Sequence, residues 1–375
     1  MRVGIRVKTI VPVIVLLAIG MSGMSLYNYF SQVGIMNSEI EKNLKSAVTF
    51  TDSAYAEQST VYLQMARFIA RMPTVAEALA KGDRNRLLQE FLSGYEAIKT
   101  DFKITQVQFH TPPAMSFLRL AQPDKYGDDL SAFRSTVLAA YEKRKSIVGI
   151  EVGKAGVGLR GVEPISFGGK HVGSVEFAGD MSHAINETKK IFGVETGLLL
   201  SKTAYTVPFA EIKGNIKPIG DYFLIHSTSL DLFANAITPE ILARAKTASQ
   251  KGIHTEDVDY GGKSYQLAFI PSKDFSGKEI GYVGAFKDKT ALQSAIKRAL
   301  FMNLGIYGGI LVLLVLMVNV ALQRVVRPIV SLTESSVDLS MGKLNQKIEI
   351  KSNDEIEDLA KSIDRMRISM KKLLE

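Results

Sequence analysis

The chain has 375 residues, enough for two or three domains, and its lack of cysteine excludes disulfide bonds and thiolate zinc sites. Its formal net charge of +8 would suit a nucleic-acid partner, but the basic residues are dispersed or lie beside apolar runs. Because no basic patch with interleaved aromatic residues stands out, we expect no binding to nucleic acid.

Two uncharged segments are long enough for membrane-spanning helices. Residues 10–30 carry no charge across 21 positions, and residues 299–323 carry none across 25. A helix needs roughly 20 apolar residues to cross a bilayer core. A cleaved signal peptide is the alternative for the first segment, but its apolar run exceeds the roughly 7 to 15 residues usual there, and no A-x-A-like site follows. We therefore predict transmembrane helices 1 and 2 at these positions.

The basic residues around the first segment predict the orientation of the chain. Three basic residues precede the first segment, namely Arg2, Arg6 and Lys8. The first basic residue after it is Lys42. Since positive residues favour the cytoplasmic side, residues 1–9 are predicted to be a cytoplasmic N-terminus and residues 31–298 to lie outside the cytoplasm. Residues 324–375 then return to the cytoplasm, and both spans contact the lipid of a cytoplasmic (inner) membrane.

Residues 31–72 predict one long helix after the first span. Apolar or small residues recur there at alternating steps of three and four, and neither proline nor glycine interrupts the stretch from Ile35 to Met72. Pro73 then ends the helix. The helix either packs along its own domain or also contacts the same helix of a second subunit, and we expect a homodimer.

Residues from about 100 to 182 and from about 183 to 290 predict two α+β modules, which we call the first and the second module. The stretch GGKHVGSVEFAGD (168–180) returns as SGKEIGYVGAFKD (276–288). Each copy follows a similar order of strands, a helix and closing strands, so the repeat predicts the closing strand of two domain copies. In the first module, DDLSAFRSTVLAAYEKR (128–144) predicts a helix that begins at an aspartate and carries Arg134.

Residues 324–375 predict a unit of two helices joined by an extended connector. The first helix follows Pro328, and the second carries apolar residues in strict alternation of three and four. One apolar seam on each helix is typical of a parallel coiled-coil bundle, here of four helices from two chains. The residues predicted to pack in it are Leu332, Leu339, Leu344, Ile348, Ile356, Leu359, Ile363 and Met366.

This C-terminal unit resembles a HAMP domain, the signal relay that follows the second span of many bacterial receptors. The matching residues are Pro328, Leu332, Gly342, Leu344, Ile348, Asp354, Glu355 and Ile356. The resemblance implies that Pro328, Gly342 and Glu355 also pack in this bundle. It implies further that the unit passes a signal to a cytoplasmic signalling module or partner beyond Glu375.

Residues 31–298 resemble a double Cache sensor, which has two PAS-like modules after a long helix. The stretches FLRLAQPDKYGDDLSAFRSTV, GIEVGKAGVGLRGVEPI and GSVEF carry this resemblance. It implies a ligand site outside the cytoplasm, usually in the membrane-distal (first) module, and signalling through a homodimer. The amino-acid-binding Cache pattern contains a tryptophan, which this chain lacks. Together the two resemblances identify the chain as similar to a bacterial transmembrane chemoreceptor of the methyl-accepting chemotaxis type.

The first module holds the candidate ligand-binding residues. They are His110, Arg119, Arg134 and Arg160, with Glu151 nearby in the predicted elements. A planar guanidinium can bind a carboxylate through two hydrogen bonds, so three arginines predict a small carboxylate ligand. The alternative is that they pair with Asp128, Asp129, Glu151 or Glu163 to hold the fold together.

Motifs for catalysis and cofactors are weak in this sequence. GVGLRG (156–161) satisfies the G-x-G-x-x-G pattern, but the residues after it continue as a predicted strand rather than the helix that a dinucleotide requires. The five histidines are isolated, and no nucleophile motif appears. We expect no enzyme activity, no cofactor and no metal.

Two functions remain open at this point. The first is a transmembrane sensory receptor that binds a small ligand and relays the signal through HAMP, with chemotaxis as the expected output. The alternative is a ligand-binding or scaffold subunit whose HAMP coiled coil docks a separate kinase, cyclase or other output protein.

Overall fold

The computed structural model describes residues 5–153, 156–204, 216–249 and 252–374, so the first four residues of the expected cytoplasmic N-terminus and Glu375 lie outside it. Its first element is the helix α1 (Ile5–Ala70), which includes both the uncharged segment and the predicted long helix. Pro73 does not continue α1 but occupies the first turn of α2 (Pro73–Lys81). The helix α3 (Arg84–Ile98) follows, and Asp83 caps it by accepting a hydrogen bond from the amide of Arg86 at 3.1 Å.

The first module is built on a five-stranded antiparallel sheet in the order β2-β1-β5-β4-β3. Its strands are β1 (Ile104–Thr111), β2 (Met115–Arg119), β3 (Ile147–Gly153), β4 (Gly156–Phe167) and β5 (Lys170–Gly179). The GVGLRG stretch lies in β4 and continues as strand, as expected, so no helix begins at it. The strand β5 is central and buried on both faces, whereas β3 is an edge strand.

The helix predicted over residues 128–144 is shorter than expected. It is α4 (Ser135–Lys143), and Arg134 is the residue just before it, with non-helical backbone angles. The predicted aspartate cap is wrong, because the amide of Thr136 donates at 2.7 Å to the carboxylate of Glu151 from β3. The chain before α4 instead pairs with the start of β2, through a bridge between Met115 and Asp129. A contact distant in sequence therefore sets where the helix begins.

The second module has a six-stranded antiparallel sheet in the order β7-β8-β6-β11-β10-β9. Its strands are β6 (Glu195–Ser201), β7 (Lys217–Ile219), β8 (Tyr222–Ser227), β9 (His254–Tyr260), β10 (Lys263–Lys273) and β11 (Glu279–Asp288). Its helices are α5 (Ser182–Phe192), a 3₁₀ turn (Lys202–Ala204), α6 (Leu230–Ala236) and α7 (Pro239–Ser249). A large apolar cluster, centred on Phe233, Phe269 and Phe286, fills this module.

The sequence repeat corresponds to β5 and β11, which are the equivalent strands of the two sheets. Each pairs with the strand just before it and with the first long strand of its module. The repeated glycines explain part of the similarity. A Cβ at Gly173 would lie 2.1 Å from the carbonyl oxygen of His110, and one at Gly281 would lie 2.0 Å from that of Leu199. Only glycine lets the neighbouring strand approach so closely at these two positions.

The C-terminal part contains α8 (Thr290–Ala321), a π-helical turn (Leu322–Val326), α9 (Arg327–Ser340) and α10 (Glu355–Leu374). Two helical stretches, Pro12–Ala70 and Thr290–Ser340, are long and apolar enough to cross a membrane, with mean hydropathies of 1.6 and 2.4 in their most apolar windows. Residues 35–292 form one compact unit, and residues 1–34 with 293–375 form another.

Candidate ligand-binding site

A cleft of about 1000 Å³ opens in the first module, a size typical of small-molecule sites. Arg119, Arg134 and Arg160 all line it, so three of the four predicted ligand residues come together there. His110 is not among the lining residues. Part of the wall is glycine, including Gly158, whose missing side chain leaves the backbone open to the cleft.

Arg160 lies at the floor of the cleft between two buried carboxylates. Glu151 on β3 and Glu176 on β5 are diagonal neighbours of Arg160 on β4, so all three side chains share one face of the sheet. The Nε of Arg160 lies 2.7 Å from Oε2 of Glu151, and its Nη1 donates to Oε1 of Glu176. The two glutamate side chains are 3 % and 0 % exposed.

For the pKa values of Arg160 and Glu176, the combined effect of charge pairing is larger than the effect of burial. Burial alone would lower the pKa of Arg160, but Glu176 and Glu151 raise it. Burial would likewise raise the pKa of Glu176, yet Arg160 and Arg134 lower it to about 2. Arg160 and Glu176 are therefore charged at neutral pH, and Arg160 lies between two protein carboxylates.

Arg134 is held less firmly than Arg160. Its Nη1 lies 3.3 Å from Oε2 of Glu151 and 3.8 Å from Oε1 of Glu176. Its Nε is buried and has no hydrogen-bond partner among the described residues. Burial, followed by repulsion from Arg160, lowers the pKa of Arg134. Arg134 is thus a desolvated cation on the cleft wall with donor capacity left over.

His110 lies behind the cluster, on β1. Its Nδ1 is 3.1 Å from the hydroxyl of Ser174, and its Nε2 is 3.8 Å from Oε2 of Glu176. Burial chiefly lowers the pKa of His110 to about 4, against the attraction of Glu176. The imidazole is therefore neutral at ordinary pH, and it lies beside Glu176 without a hydrogen bond to it.

Arg119, at the end of β2, forms a two-pronged ion pair at the rim of the cleft. Its Nη1 and Nη2 donate to the two carboxylate oxygens of Asp128 at 2.8 and 2.7 Å, and Nη1 also donates to the carbonyl of Lys125. The hydrogen bonds from Arg119 are the main reason that the pKa of Asp128 is lower than its ordinary value. Glu163, the other candidate partner, is not in this site and lies beside Arg67 instead.

The lining of the cleft is balanced in charge. Four of its side chains are cationic and four are anionic, and they include acids that the sequence did not single out. These residues are Arg119, Lys125, Arg134, Arg160, Asp124, Asp128, Asp129 and Asp180. Among the three arginines of the lining, Arg134 has the longest contacts to its carboxylates, at 3.3 Å to Glu151 and 3.8 Å to Glu176.

Sequence reasoning missed Glu176, which holds the cluster together. The signal was available, because GSVEFAG places a glutamate inside a run of apolar and small residues. A charged residue in a strand buried on both faces needs a partner, and β5 is such a strand. Glu176 could therefore have been assigned to a buried ion pair before the structure was seen.

The second module has a smaller cavity of about 340 Å³. Its acids are already paired: Glu195 with Lys189, Asp288 with Lys263, and Asp231 with the hydroxyl of Tyr260. Among the described residues, no group of three or more histidine, aspartate or glutamate side chains could hold a metal ion.

The C-terminal unit packs α9 on α10 through a small apolar cluster within one chain. Among the predicted packing residues, Leu332, Leu339, Leu344, Ile348 and Ile363 belong to it, and Ile356 packs against it in part. Ala360 completes it. Two others, Leu359 and Met366, are 49 % and 54 % exposed. Glu355, Gly342 and Pro328 lie outside the cluster.

Two family models match this chain. The family described as the double sensory domain of two-component sensor kinase, a double Cache domain, matches residues 37–292, and a HAMP domain matches residues 320–372. The first match covers well over half of the sequence, so the chain belongs to the double Cache sensory family. The predicted receptor type and fold class are thereby confirmed: an α+β double Cache sensor, two long apolar helices and a C-terminal HAMP domain. The chain is a sensory receptor that relays signals through HAMP.

Solved structures of bacterial sensor domains are similar to the chain. The sensory domain of the Campylobacter jejuni chemoreceptor Tlp3 with isoleucine bound is 12 % identical, with a TM-score of 0.45 over 70 % of this chain and 96 % of that one. A domain of a putative sensory box/GGDEF family protein from Vibrio parahaemolyticus is 16 % identical, with a TM-score of 0.42 over 68 % and 98 %. The sensor domain of the V. cholerae histidine kinase DctB is 9 % identical, with a TM-score of 0.41 over 70 % and 98 %. No curated protein is significantly similar to the chain.

Proposed function

We propose that this receptor senses a small carboxylate in the cleft of the first module. The observation that supports the proposal is Arg134, a desolvated guanidinium on the cleft wall with an unpartnered Nε and protein carboxylates no closer than 3.3 Å. A ligand carboxylate would give it two charge-assisted hydrogen bonds in a site with little water. Arg160 lies at the floor between Glu151 and Glu176, and His110 is buried beside Glu176 rather than in the lining of the cleft.

We also propose a membrane topology for the chain and a compartment for its sensor. Residues 1–9 and 324–375 lie in the cytoplasm, residues 31–298 outside it, and the two apolar helices cross the cytoplasmic (inner) membrane. The bias of basic residues around the first span supports this orientation. The cleft would then sample the medium outside the cytoplasm.

We further propose that the receptor works as a homodimer through its HAMP domain. Leu359, Met366 and Leu373 are exposed along α10, although they continue the heptad pattern of Ile356 and Ile363. The equivalent helix of a second chain would cover this stripe in a parallel four-helix bundle. The signal then passes to a cytoplasmic signalling module or partner, with chemotaxis as the output, and the chain performs no catalysis itself.

Binding of carboxylates to the full chain in lipid nanodiscs tests the proposed ligand class. We expect at least one of acetate, lactate, succinate and citrate to raise the melting temperature. At about a hundredfold excess over the dissociation constant, mass action adds roughly 2.7 kcal/mol of stability. Arg134→Gln should abolish the shift, and Arg134→Lys, which keeps the charge but not the planar fork, should restore part of it.

The matched control is Lys202→Gln, which removes an exposed cation from the second module. It should leave the shift unchanged. If none of the four acids shifts the wild-type protein, the carboxylate proposal fails. If Arg134→Gln keeps the full shift, Arg134 does not bind the ligand.

A further inference from the structure

A backbone contact joins the two modules at the free edge of the first sheet. The loop between β10 and β11, residues 274–278, which we call the junction loop, lies against the edge strand β3. The amide of Phe275 donates to the carbonyl oxygen of Ile150 at 2.9 Å. Such a bond from a neighbouring segment satisfies an edge that would otherwise expose its backbone.

Gly149 makes this close approach possible. Its φ is +137°, and a Cβ there would lie 3.0 Å from the Cα of Phe275 and 3.1 Å from its Cβ. Any larger residue would therefore both strain the backbone and push the junction loop away from β3. Gly149 therefore lets the junction loop pack closely against β3.

Asp274 holds the junction loop in one shape. Its Oδ1 accepts hydrogen bonds from the amide of Ser276 at 2.8 Å, from the hydroxyl of Ser276 at 2.6 Å and from the amide of Lys278 at 3.0 Å. The backbone closes the same turn, since the amide of Asp274 donates to the carbonyl of Lys278 at 2.9 Å. The loop is a pre-formed turn rather than a loose connection.

The residue after Ile150 on β3 is Glu151, which organises the cleft. One oxygen of Glu151 accepts from the amide of Thr136 at the start of α4, and the other lies 2.7 Å from Arg160 and 3.3 Å from Arg134. A displacement of β3 at Ile150 must therefore move the carboxylate that positions both arginines and the first turn of α4. On the other side, β11 leads from the junction loop directly to α8.

We propose that the junction loop regulates the cleft: its bond to β3 couples the position of Glu151 in the first module to β11 in the second module, the strand that precedes α8 in the chain. The role of the cleft as the ligand site rests on the function proposed above, but the coupling itself does not require a ligand. Rearrangement of Arg134 around a ligand shifts Glu151 and β3, and the junction loop carries that shift to β11. Coupling of this kind acts equally in both directions.

Amide hydrogen exchange of the full chain in nanodiscs, without any ligand, tests the coupling from the second module. Asp274→Ala removes the three side-chain bonds of the junction loop. We expect exchange of residues 274–278 to accelerate and exchange of residues 134–137 and 147–153 to accelerate with it, by about tenfold, the effect of losing one or two net hydrogen bonds. The control is Asp231→Ala, which removes a hydrogen-bonded aspartate of the second module away from β3 and should leave the first module unchanged.

The reverse direction uses Gly149→Ala, which crowds Phe275 from β3. It should accelerate exchange of residues 274–278. The control for backbone strain is Gly252→Ala, since Gly252 has a φ of +115° but no atom within 4 Å of an added Cβ. Gly149→Ala keeps the test valid if Asp274→Ala weakens the whole second module.

Three outcomes overturn the proposal. One is faster exchange of the junction loop in Asp274→Ala with no change in residues 134–137 and 147–153. Another is an equal response of the first module to Asp231→Ala. The third is no response of residues 274–278 to Gly149→Ala. Because no ligand enters the experiment, these results are separate from a failure of the carboxylate proposal, which the binding assay reports on its own.

Discussion

The two modules of the sensor share a strand order and a glycine contact but fill their interiors differently. The second module packs an apolar cluster in which Phe233 and Phe286 meet edge to face, with ring centroids 5.0 Å apart. The first module instead buries Glu151, Arg160 and Glu176 beneath a cleft. The first module therefore combines an apolar cluster around Val137 and Val162 with a buried charged cluster, whereas the cluster that fills the second module is apolar.

This difference supports the proposal that the first module binds the ligand. Replacing a buried ion network by apolar side chains is often neutral or stabilising, so stability alone does not call for such a network. Buried charges beside a concave surface are instead typical of sites that bind polar ligands. We therefore expect substitutions of charged residues to destabilise the first module most. Substitutions that disturb packing should destabilise both modules alike.

The largest expected effect is that of Arg160→Leu. This variant leaves Glu151 and Glu176 buried beside each other with only Arg134 to compensate them. Breaking a buried pair by removing one partner costs about 3–5 kcal/mol. Hydrogen exchange of β3 and β4 should report this loss, and the core of the second module should keep its protection. A loss below about 1 kcal/mol would show that the cluster is not held by charge pairing.

The paired glycines should respond almost equally in the two modules. Gly173→Ala and Gly281→Ala each place a Cβ about 2 Å from a backbone carbonyl oxygen of the neighbouring strand. Forcing a methyl group into such a site costs about 3 kcal/mol, at the upper end for overpacking. Gly168→Ala is the control: an added Cβ there meets no atom within 4 Å, so only the strain of its φ of +57° remains, and we expect a smaller loss of about 1 kcal/mol by urea denaturation. Unequal losses at the two sites would break the equivalence of β5 and β11.

The stability of the first module should fall as the pH falls. The pKa of His110 is lowered from 6.5 to about 4 and that of Glu176 from 4.5 to about 2, so the unfolded chain binds these protons first. Their contributions are complete above pH 6.5 and are lost progressively down to about pH 2. His110→Gln should flatten the decline between pH 6.5 and pH 4 when unfolding is followed in the first module. An unchanged pH profile in that variant would contradict the assignment of a buried neutral histidine.

The smallest expected effect is that of Arg119→Gln. Its partner Asp128 has a side chain that is 50 % exposed, so water screens the pair. We expect a loss of about 1 kcal/mol or less in the free energy of unfolding, measured by urea denaturation. A loss as large as that of Arg160→Leu would remove the distinction between the rim of the cleft and its floor.

The spacing of apolar residues and the positions of proline and glycine were enough to predict much of the fold. The uncharged segments, the stop at Pro73 and the duplicated closing strand predicted α1, α8, β5 and β11 because each depends on neighbours close in sequence. The first turn of α4 was not predictable in this way, since Glu151 from β3 sets it across the module. The candidate site shows the same limit: residue types identified the arginines, but only strand register reveals that Glu176 lies next to Arg160.

Hydrogen exchange of the full chain in nanodiscs, with and without a binding carboxylate, tests whether the first module is the sensing site. The acid used is the one of the four in the panel that gives the largest melting shift. We predict that it slows exchange at the start of α4 and in β3 and β4, and that Arg134→Gln abolishes this protection. Slower exchange confined to the second module, around Glu195, Asp231 and Tyr260, would contradict the claim and place the ligand in the other copy of the fold.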